Sequence, residues 1–324
     1  DYLIPVNLEE FKKQKNKKFN LQKPILAFNK FLKKKNLNNL NEDKDKLNSS
    51  NFLKMSKLSK KIRFHNFYLD EMTSLGKKIK LTCKNKNKYK VFIANKVILA
   101  TGTVATTKLV MGFLNIKREV KINHHPRLIA VYLGKKNIKF NLNFTPSLLQ
   151  FIGKGKDNYF CADFRPGNKL ITESMVELSK LLYPLKFLIN FFKKRLIFTN
   201  ILLSPKYSDI YIKNLNKSFL IYTKINNLVS KLKKANFKIF SFLNKKKIIY
   251  PFFKTHFPGV GSDFHYFGTL PMNSKSKLSV NEKCQLKDHN NIFIVDSSVF
   301  NFKENKYPLG IVMANARRVG KLIS

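Results

Sequence analysis

The sequence predicts a mixed fold, with α/β elements built on buried strands and an α+β region of antiparallel strand pairs between them. Two short apolar runs, within "KVILATGT" (96–103) and "NIFIVDSSVF" (291–300), have the composition of strands buried on both faces. Between them, "DIYIKNL" (209–215) and "SFLIYTKI" (218–225) alternate apolar and polar residues across a polar turn, as the arms of a hairpin do. Parallel-sheet elements are therefore expected on either side of an antiparallel middle.

The elements follow in order along the chain. Residues 1–60 are rich in Lys and Asn, and their short apolar clusters predict one or two helices. Residues 61–120 are strand-rich up to a helix that follows Gly102. The predicted elements there are a strand in "IRFHNFYL" (62–69), a hairpin of "KKIKLTC" (77–83) with "KYKVFIA" (88–94), the strand "KVILA" (96–100) and a helix in "TVATTKLVMGFL" (103–114).

The remaining chain divides at about residue 254. Residues 121–254 carry the antiparallel pattern, and residues 255–324 combine a glycine-punctuated loop, a buried strand that ends at Asp296, and a closing helix that begins just after Pro308, where proline is tolerated. Further elements of the middle region are a strand in "RLIAVYL" (127–133), a helix within "TESMVELSKLLYPLKFLINFFKK" (172–194) and an amphipathic helix in "NNLVSKLKKANF" (226–237).

The charge of the chain is extreme but consists almost entirely of lysine. The 324 residues carry a formal net charge of +44 from 63 Lys and Arg against 19 Asp and Glu, and only 7 of the basic residues are Arg. Recognition of phosphates and bases favours the bidentate fork of Arg. High Lys, Asn, Ile and Phe without Trp is typical of an AT-rich genome. We therefore interpret the charge as a solvated surface and expect no nucleic acid partner.

The cysteines and the hydropathy of the chain bear on its compartment and on membrane insertion. Cys83, Cys161 and Cys284 lie far apart without a CxxC pair, which excludes a zinc ribbon and predicts no metal site or disulfide framework. A reducing, cytoplasmic setting is the simple interpretation. The most apolar stretch, Leu181–Leu203, is interrupted by basic residues, so no transmembrane segment is predicted, although peripheral membrane contact stays open.

Three local patterns carry chemistry. The strand that ends in Ala100-Thr101-Gly102 and leads into a helix can bring backbone N–H groups close to a nucleotide. Asp296 follows a buried strand at the edge where α/β sheets bind ligands, and it could also be a simple helix cap. His265, three residues before Gly268, is a candidate general base, although a single His is more often structural.

In this order the patterns resemble the GMC (glucose–methanol–choline) oxidoreductases, FAD-dependent alcohol oxidases and dehydrogenases. "HYFGTLPM", "NIFIVDSSVF" and "PLGIVMANARR" are similar to the closing segment of that family, "VILATGTVATTKLVM" to its second FAD-binding stretch, and "NHHPRL" (123–128) to a His-Pro element. The resemblance implies a partial FAD-binding Rossmann-like domain split between 61–120 and 255–324, with an antiparallel-sheet substrate domain, 121–254, inserted between the two parts.

The resemblance also implies residue roles. His265 matches the base that takes the hydroxyl proton of an alcohol, for example a sugar or polyol, while hydride passes to flavin N5. The implied cofactor contacts are Ala100, Thr101 and Gly102 near the adenosine half, Asp296 and Ser297 at the pyrophosphate and ribityl chain, and Pro308 and Leu309 facing the flavin pyrimidine ring. Oxygen, a quinone or another carrier would then accept the electrons.

Two departures from the family limit this interpretation. The second catalytic His or Asn is replaced by Tyr307, whose hydroxyl can donate a hydrogen bond but is a weak base at neutral pH. No GxGxxG motif is present, and the first residue is Asp1 rather than Met. We therefore expect this chain to be a fragment of a longer enzyme that binds FAD poorly alone.

Three alternatives stay open at the level of sequence. The first is another dinucleotide-fold flavoprotein or an NAD-dependent enzyme, which "VILATG" also fits. The second is a basic adaptor at a membrane or nucleic acid, using lysine-rich segments such as "FKKQKNKKF" (11–19). The third is a non-catalytic remnant that keeps the fold without the activity.

Overall fold

The structure is a computed structural model that describes residues 3–5, 19–22, 25–27, 62–137, 149–153, 159–167, 187, 191–216, 218–224, 227–259, 261–262, 265–303 and 309–323. In chain order its strands are β1 (Leu3–Pro5), β2 (Phe19–Gln22), β3 (Ile25–Ala27), β4 (Tyr68–Leu75), β5 (Lys78–Asn85), β6 (Lys88–Ala94), β7 (Val97–Leu99), β8 (Val120–Ile122), β9 (Arg127–Gly134), β10 (Leu149–Gly153), β11 (Phe160–Pro166), β12 (Leu196–Leu203), β13 (Ile210–Asn214), β14 (Phe219–Thr223), β15 (Ile249–His256), β16 (Gln285–Leu286) and β17 (His289–Ile294). The helices are α1 (Thr103–Phe113), α2 (Leu228–Lys245) and α3 (Leu309–Ile323), with 3-10 turns at Lys193–Arg195, Pro205–Tyr207 and Ser297–Val299.

The chain divides into two compact units, each drawn from three stretches of sequence. The first unit comprises Asp1–Arg63, Arg127–Leu203 and Leu228–Pro258, and the second comprises Phe64–Pro126, Ser204–Asn227 and Gly259–Ser324. That these units are a substrate domain and a FAD domain stays a prediction.

The first unit is built on a six-stranded sheet in the order β15–β9–β12–β11–β10–β2, in which every neighbouring pair is antiparallel. Helix α2 packs on β9, β12 and β15. Its buried residues, among them Leu228, Leu232 and Ile239, recur at helical spacing, so one stripe of the helix faces the sheet. Inside, the Tyr132 hydroxyl donates to Asn236 Oδ1 at 2.6 Å, and burial raises the pKa of this tyrosine.

The described residues of the second unit form three small sheets, β4–β5–β6, β14–β13–β8 and β16–β17–β7. Among the described strands, only β7 and β17 pair in parallel. A single apolar cluster joins these sheets to helix α1, and its fully buried members include Val110, Met111 and Ile122. The fold is therefore mixed α/β, and its sheets are mostly antiparallel.

Most predicted elements are confirmed where the structure describes them. The hairpins β5–β6 and β13–β14, the strand β9 and the helix α1 lie where the sequence predicts them, and α3 begins at Leu309. Helix α2 begins where it is predicted but continues to Lys245, eight residues beyond the predicted segment 226–237. The described parts of residues 1–60 are the short strands β1–β3, whereas the sequence predicts helices there. The helix predicted within 172–194 lies largely outside the described residues, as does the segment 11–19 apart from Phe19.

Two expectations are wrong in detail. The strand predicted at 62–69 begins only at Tyr68 and continues to Leu75, because pairing with β5 sets its position rather than local composition. The strand β7 is predicted to be buried on both faces, but Ile98 is 52% exposed while Val97 and Leu99 are buried. Since Ile98 points to the opposite face from its two neighbours, only one face of this strand is covered.

Candidate functional site

The parallel pair β7–β17 brings together two of the three patterns singled out in the sequence. The register pairs Val97 with Ile292 and Leu99 with Ile294, and the N–H of Val295 donates to the carbonyl of Leu99 at 3.0 Å. Because parallel strands end at the same edge of a sheet, the turn Ala100–Gly102 and the residues Asp296–Ser297 become neighbours.

Asp296 holds this junction through both of its carboxylate oxygens. Oδ2 accepts from the backbone N–H of Gly102 at 3.1 Å and from the hydroxyl of Thr106. Oδ1 accepts from the N–H of Ser298 at 3.0 Å and from its hydroxyl at 2.6 Å, so Asp296 also caps the 3-10 turn Ser297–Val299. The carboxylate is buried and its protein partners fix the turn before α1 relative to the end of β17.

Gly102 starts helix α1 in a conformation that favours glycine. Its φ is +85°, and no heavy atom lies within 4 Å of the position that a Cβ would occupy. The first turn of a helix leaves backbone N–H groups without intrahelical acceptors, and the first turn of α1 contains no acidic side chain. The Asp296 carboxylate already accepts from the N–H of Gly102, so a further polar group could contact only the open space beside Gly102 and the later N–H groups of the first turn.

A cavity of about 440 Å³ opens over this turn. It is lined by Thr101, Gly102, Thr103, Val104, Ala105, Lys108, Ile212, Phe219, Ile221 and Tyr266. The Lys108 ammonium lies 5.7 Å from the centre of the Phe219 ring. The cavity thus combines the helix start, one cation and an aromatic surface within the second unit.

A cluster of hydroxyl groups ties the third pattern, around His265, to the same turn. The hydroxyls of Thr103 and Ser297 lie 2.9 Å apart, and the carbonyl oxygen of Tyr266 accepts from them at 2.5 Å and 2.7 Å. One turn further along α1, the Thr107 hydroxyl lies 2.6 Å from that of Thr269. The segment that carries His265 is therefore attached to both strand ends.

His265 is half-buried and lies beside a second histidine. Its ring centre is 6.3 Å from that of His125, with the two rings nearly perpendicular, and His125 also packs 5.3 Å from the ring of Phe267. Both His124 and His125 are buried, and His125 lies next to the predicted base.

Gly268 permits the close approach that joins the His265 segment to "NHHPRL". Its φ is +77°, and a Cβ there would lie 2.5 Å from Nδ2 of Asn123 and 3.0 Å from the carbonyl oxygen of Phe300. Asn123 and Phe267 exchange two backbone hydrogen bonds, at 2.9 Å and 3.0 Å. The close approach at Gly268 is therefore to protein atoms, those of Asn123 and Phe300.

His124 belongs to a buried polar pair. Its Nε2 lies 3.0 Å from Oδ1 of Asp209, and its backbone N–H and carbonyl both bond the Ser208 hydroxyl at 2.8 Å. His124 and Asp209 are 1% and 4% exposed. The pair anchors the segment 123–126, and with it the ring of His125, to the loop before β13.

The structure therefore brings some of the predicted site residues together, and others lie outside the described residues. Ala100, Thr101, Gly102, Asp296 and Ser297 come together, with His265 in the attached segment. Tyr307 and Pro308 lie outside the described residues, and of Leu309 the structure gives only that α3 begins there.

Sequence reasoning missed the three α1 threonines and Asn123. The motif "TVATT" is the signal that could have found the threonines, because hydroxyls at residues 103, 106 and 107 fall on one face of a helix start.

Within the described part of the chain, no helix combines the length and apolarity that a membrane crossing requires.

The comparisons with known proteins bear on the fold. The sequence matches no protein-family model and no curated protein. Among solved structures, it is similar to pyridoxine 4-oxidase from Mesorbium loti, with a TM-score of 0.50 and 12% identity over 82% of this chain and 60% of the oxidase. The chain thus spans about 60% of the length of that protein. At this identity the likeness shows a shared fold.

Proposed function

We propose that this chain is part of a FAD-dependent oxidoreductase that oxidises an alcohol, with His265 as the group that accepts the hydroxyl proton. The observation that carries the proposal is the junction of three distant patterns: Gly102 bonds Asp296, and the carbonyl next to His265 bonds Thr103 and Ser297. The shared fold with pyridoxine 4-oxidase, a GMC-type flavoprotein oxidase, supports the same class of reaction.

The residues around the turn fit a dinucleotide. Gly102 leaves open space where a side chain would stand, the start of α1 offers backbone N–H groups, and Lys108 adds a positive charge in the same cavity. Phe219 and Tyr266 supply aromatic surface for a planar group. In this proposal Thr101, Gly102 and Thr103 contact the cofactor, while Asp296 positions their turn, since its oxygens accept hydrogen bonds from the protein.

When bound, FAD supplies the two-electron acceptor for the hydride of the alcohol carbon. The chain itself has to hold the hydroxyl and take its proton. A neutral imidazole does this near physiological pH, and His265 is half-exposed, so a substrate can reach it. The ring of His125 lies beside it, 6.3 Å away between ring centres. Tyr307 would add a hydrogen-bond donor to the alcohol oxygen.

Anaerobic reduction of the flavin tests the proposal. The protein is expressed from its complete reading frame and passed through gel filtration, and we expect the visible absorption of a flavin to stay with it. Pyridoxine, a sugar and a polyol are then added as probes, and bleaching of the flavin is followed. The variant His265→Asn should retain flavin but slow the bleaching about 100-fold or more.

The matched control is His256→Asn, an exposed histidine at the end of β15. It should bleach like the wild-type protein. Full activity of His265→Asn with bound flavin would exclude His265 as the base. A colourless protein that binds a nicotinamide cofactor would favour the dehydrogenase alternative, and a protein that binds neither cofactor would favour the non-catalytic remnant.

A further inference from the structure

The solvent face of helix α2 and the adjoining edge strand β15 expose several phenylalanine rings. Phe237, Phe252 and Phe253 are 62%, 55% and 39% exposed, and Phe240 is half-buried between the first and the last of them. We call these four residues the phenylalanine ridge. Large apolar side chains that cluster at a surface generally mark an interaction site.

Three of the four rings of the ridge, those of Phe237, Phe240 and Phe253, form a continuous row. The ring centre of Phe240 lies 6.4 Å from that of Phe237 on the same helix and 4.8 Å from that of Phe253 on β15. Phe252 is the sequence neighbour of Phe253, and its ring stacks with Tyr250 at 6.1 Å. Strand β15 is the edge of the six-stranded sheet, so the ridge runs from the outer side of the helix to the sheet edge.

The charge around the ridge has one sign. Residues 228–258, which contain α2 and β15, include eight lysines and no Asp or Glu, and seven of these lysines are exposed. Lys233, Lys234 and Lys238 belong to the same exposed side of the helix as Phe237. Exposed rings flanked by lysines suit a membrane interface, with the rings at the acyl boundary and the ammonium groups at the headgroups.

This charge decides between the partners that an apolar ridge could have. A second copy of the chain would bring lysines against lysines, which opposes association. A nucleic acid could stack its bases on the phenylalanine rings, but the segment 228–258 contains no Arg, the side chain best suited to bind phosphates. An anionic bilayer matches both properties, since it offers negative headgroups over an apolar interior that accepts separate rings.

We propose that α2 and β15 form a docking surface for an anionic lipid bilayer, in which Phe237 and Phe252 enter the acyl boundary and the surrounding lysines contact the headgroups. The helix lies parallel to the membrane plane and does not cross it. This inference rests on the first unit alone and is independent of the proposed oxidoreductase activity.

The absence of tryptophan from the sequence allows a direct test. The variants Phe237→Trp, Phe252→Trp and Tyr89→Trp each introduce a single fluorescent probe. Tyr89 is a matched control, because it is 63% exposed and has the Lys84 ammonium 5.4 Å from its ring, but lies on β6 in the second unit. With phosphatidylglycerol vesicles we expect a blue-shifted emission and quenching by brominated acyl chains at positions 237 and 252, and neither at 89.

Binding measurements separate insertion from charge attraction. The double variant Phe237→Ser/Phe252→Ser keeps every charge, and its affinity for phosphatidylglycerol vesicles should fall at least tenfold, as expected for the loss of buried aromatic surface. Tyr89→Ser should bind as the wild-type protein does. Both exposed sites leave the core intact, which equal thermal unfolding midpoints would verify.

Three results would overturn the proposal. The first is vesicle binding without any blue shift at 237 or 252, which would reduce the contact to unspecific charge attraction. The second is equal insertion at position 89, which would show no preference for the ridge. The third is loss of single-stranded oligonucleotide binding, but not vesicle binding, in the double serine variant, which would assign the ridge to nucleic acid.

Discussion

The backbone N–H of Gly102 lies 3.1 Å from Oδ2 of Asp296, although the two residues are 194 positions apart in the sequence. Gly102 is the last residue before helix α1, and Asp296 follows strand β17. The same carboxylate accepts from Ser298 through its other oxygen. One side chain therefore joins the ends of two parallel strands at the edge where the candidate cofactor cavity opens.

Replacing Asp296 by asparagine should destabilise the protein. The substitution keeps the shape but turns an N–H₂ group toward hydroxyl and N–H donors, so charge-assisted hydrogen bonds are lost in a buried place. We expect the free energy of unfolding to fall by about 2 kcal/mol, measured by urea denaturation. Asp288→Asn is the control, because Asp288 is exposed in a turn with φ +64° that asparagine also adopts. Equal stability of the two variants would contradict the role of Asp296.

Gly268→Ala should cost more than Gly76→Ala. Both glycines have positive φ, +77° and +58°, so each substitution carries about 1 kcal/mol of backbone strain. At Gly76 a Cβ meets nothing within 4 Å, whereas at Gly268 it meets Asn123 and the Phe300 carbonyl. We therefore expect Gly268→Ala to lose at least about 1 kcal/mol more, measured as the difference in unfolding free energy.

Measuring Gly268→Ala again in a chain that also carries Asn123→Ala tests the cause of that difference in stability. Because the shortest approach is to Nδ2 of Asn123, the change Asn123→Ala should make Gly268→Ala less costly than it is in the wild-type chain. A cost that is the same in both backgrounds would move the origin of the strain to the carbonyl of Phe300.

The sequence predicts best the elements whose apolar residues recur at a regular local spacing. Hairpin β5–β6 and helix α2 have periods of two and 3.6 residues, and the hairpin and the start of the helix are found where the sequence predicts them. The sequence predicts strand β4 too early, because half of its residues 68–75 are polar and its register comes from pairing with β5. Composition near Ile62 resembles a strand more than "DEMTSL" does, and only tertiary contacts correct this.

The sequence predicts which segments contribute to the candidate site, but it does not predict how their residues contact one another. The sequence indicates that Gly102, Asp296 and His265 matter, and the structure places the first two in direct contact. The sequence gives no sign that the Tyr266 carbonyl links the His265 segment to Thr103, nor that His125 lies beside His265. Both contacts join residues more than 130 positions apart. Such long-range contacts leave no periodic trace in a single sequence.

The His124–Asp209 pair should be coupled far more strongly than an exposed pair of the same unit. Both side chains are buried and 3.0 Å apart, so removing either one leaves the other without this partner in a low-dielectric place. We expect His124→Ala and Asp209→Ala each to lose about 3–5 kcal/mol, and the double variant to lose clearly less than their sum. Urea denaturation of the four proteins of this double-mutant cycle measures the coupling.

The exposed comparison is Lys224 with Glu119, whose Nζ and Oε1 lie 2.7 Å apart at the surface. Hydrogen bonds from Lys224 and Tyr222 lower the pKa of Glu119, but solvent screens the pair. Its double-mutant cycle should therefore give a coupling energy far below that of the buried His124–Asp209 pair. Equal coupling in the two pairs would show that burial of His124 and Asp209 adds nothing to their interaction.

The thiols should react in an order set by burial. Burial, with a smaller effect of the Asp163 charge, raises the pKa of Cys161 to about 12, and burial also raises the pKa of Cys83, which is slightly more exposed. Because the thiolate is the reactive form, raising the pH from 8 to 10 should leave native Cys161 nearly inert to iodoacetamide, and Cys83 should be alkylated first. Mass spectrometry of digested protein gives the rate of alkylation at each cysteine.

Unfolding in urea provides the control. In urea both thiols regain ordinary pKa values and solvent access, so their rates of alkylation should become equal. Faster alkylation of Cys161 than of Cys83 in the native protein would mean that strand β11 opens to solvent more readily than strand β5, against the burial of the two strands.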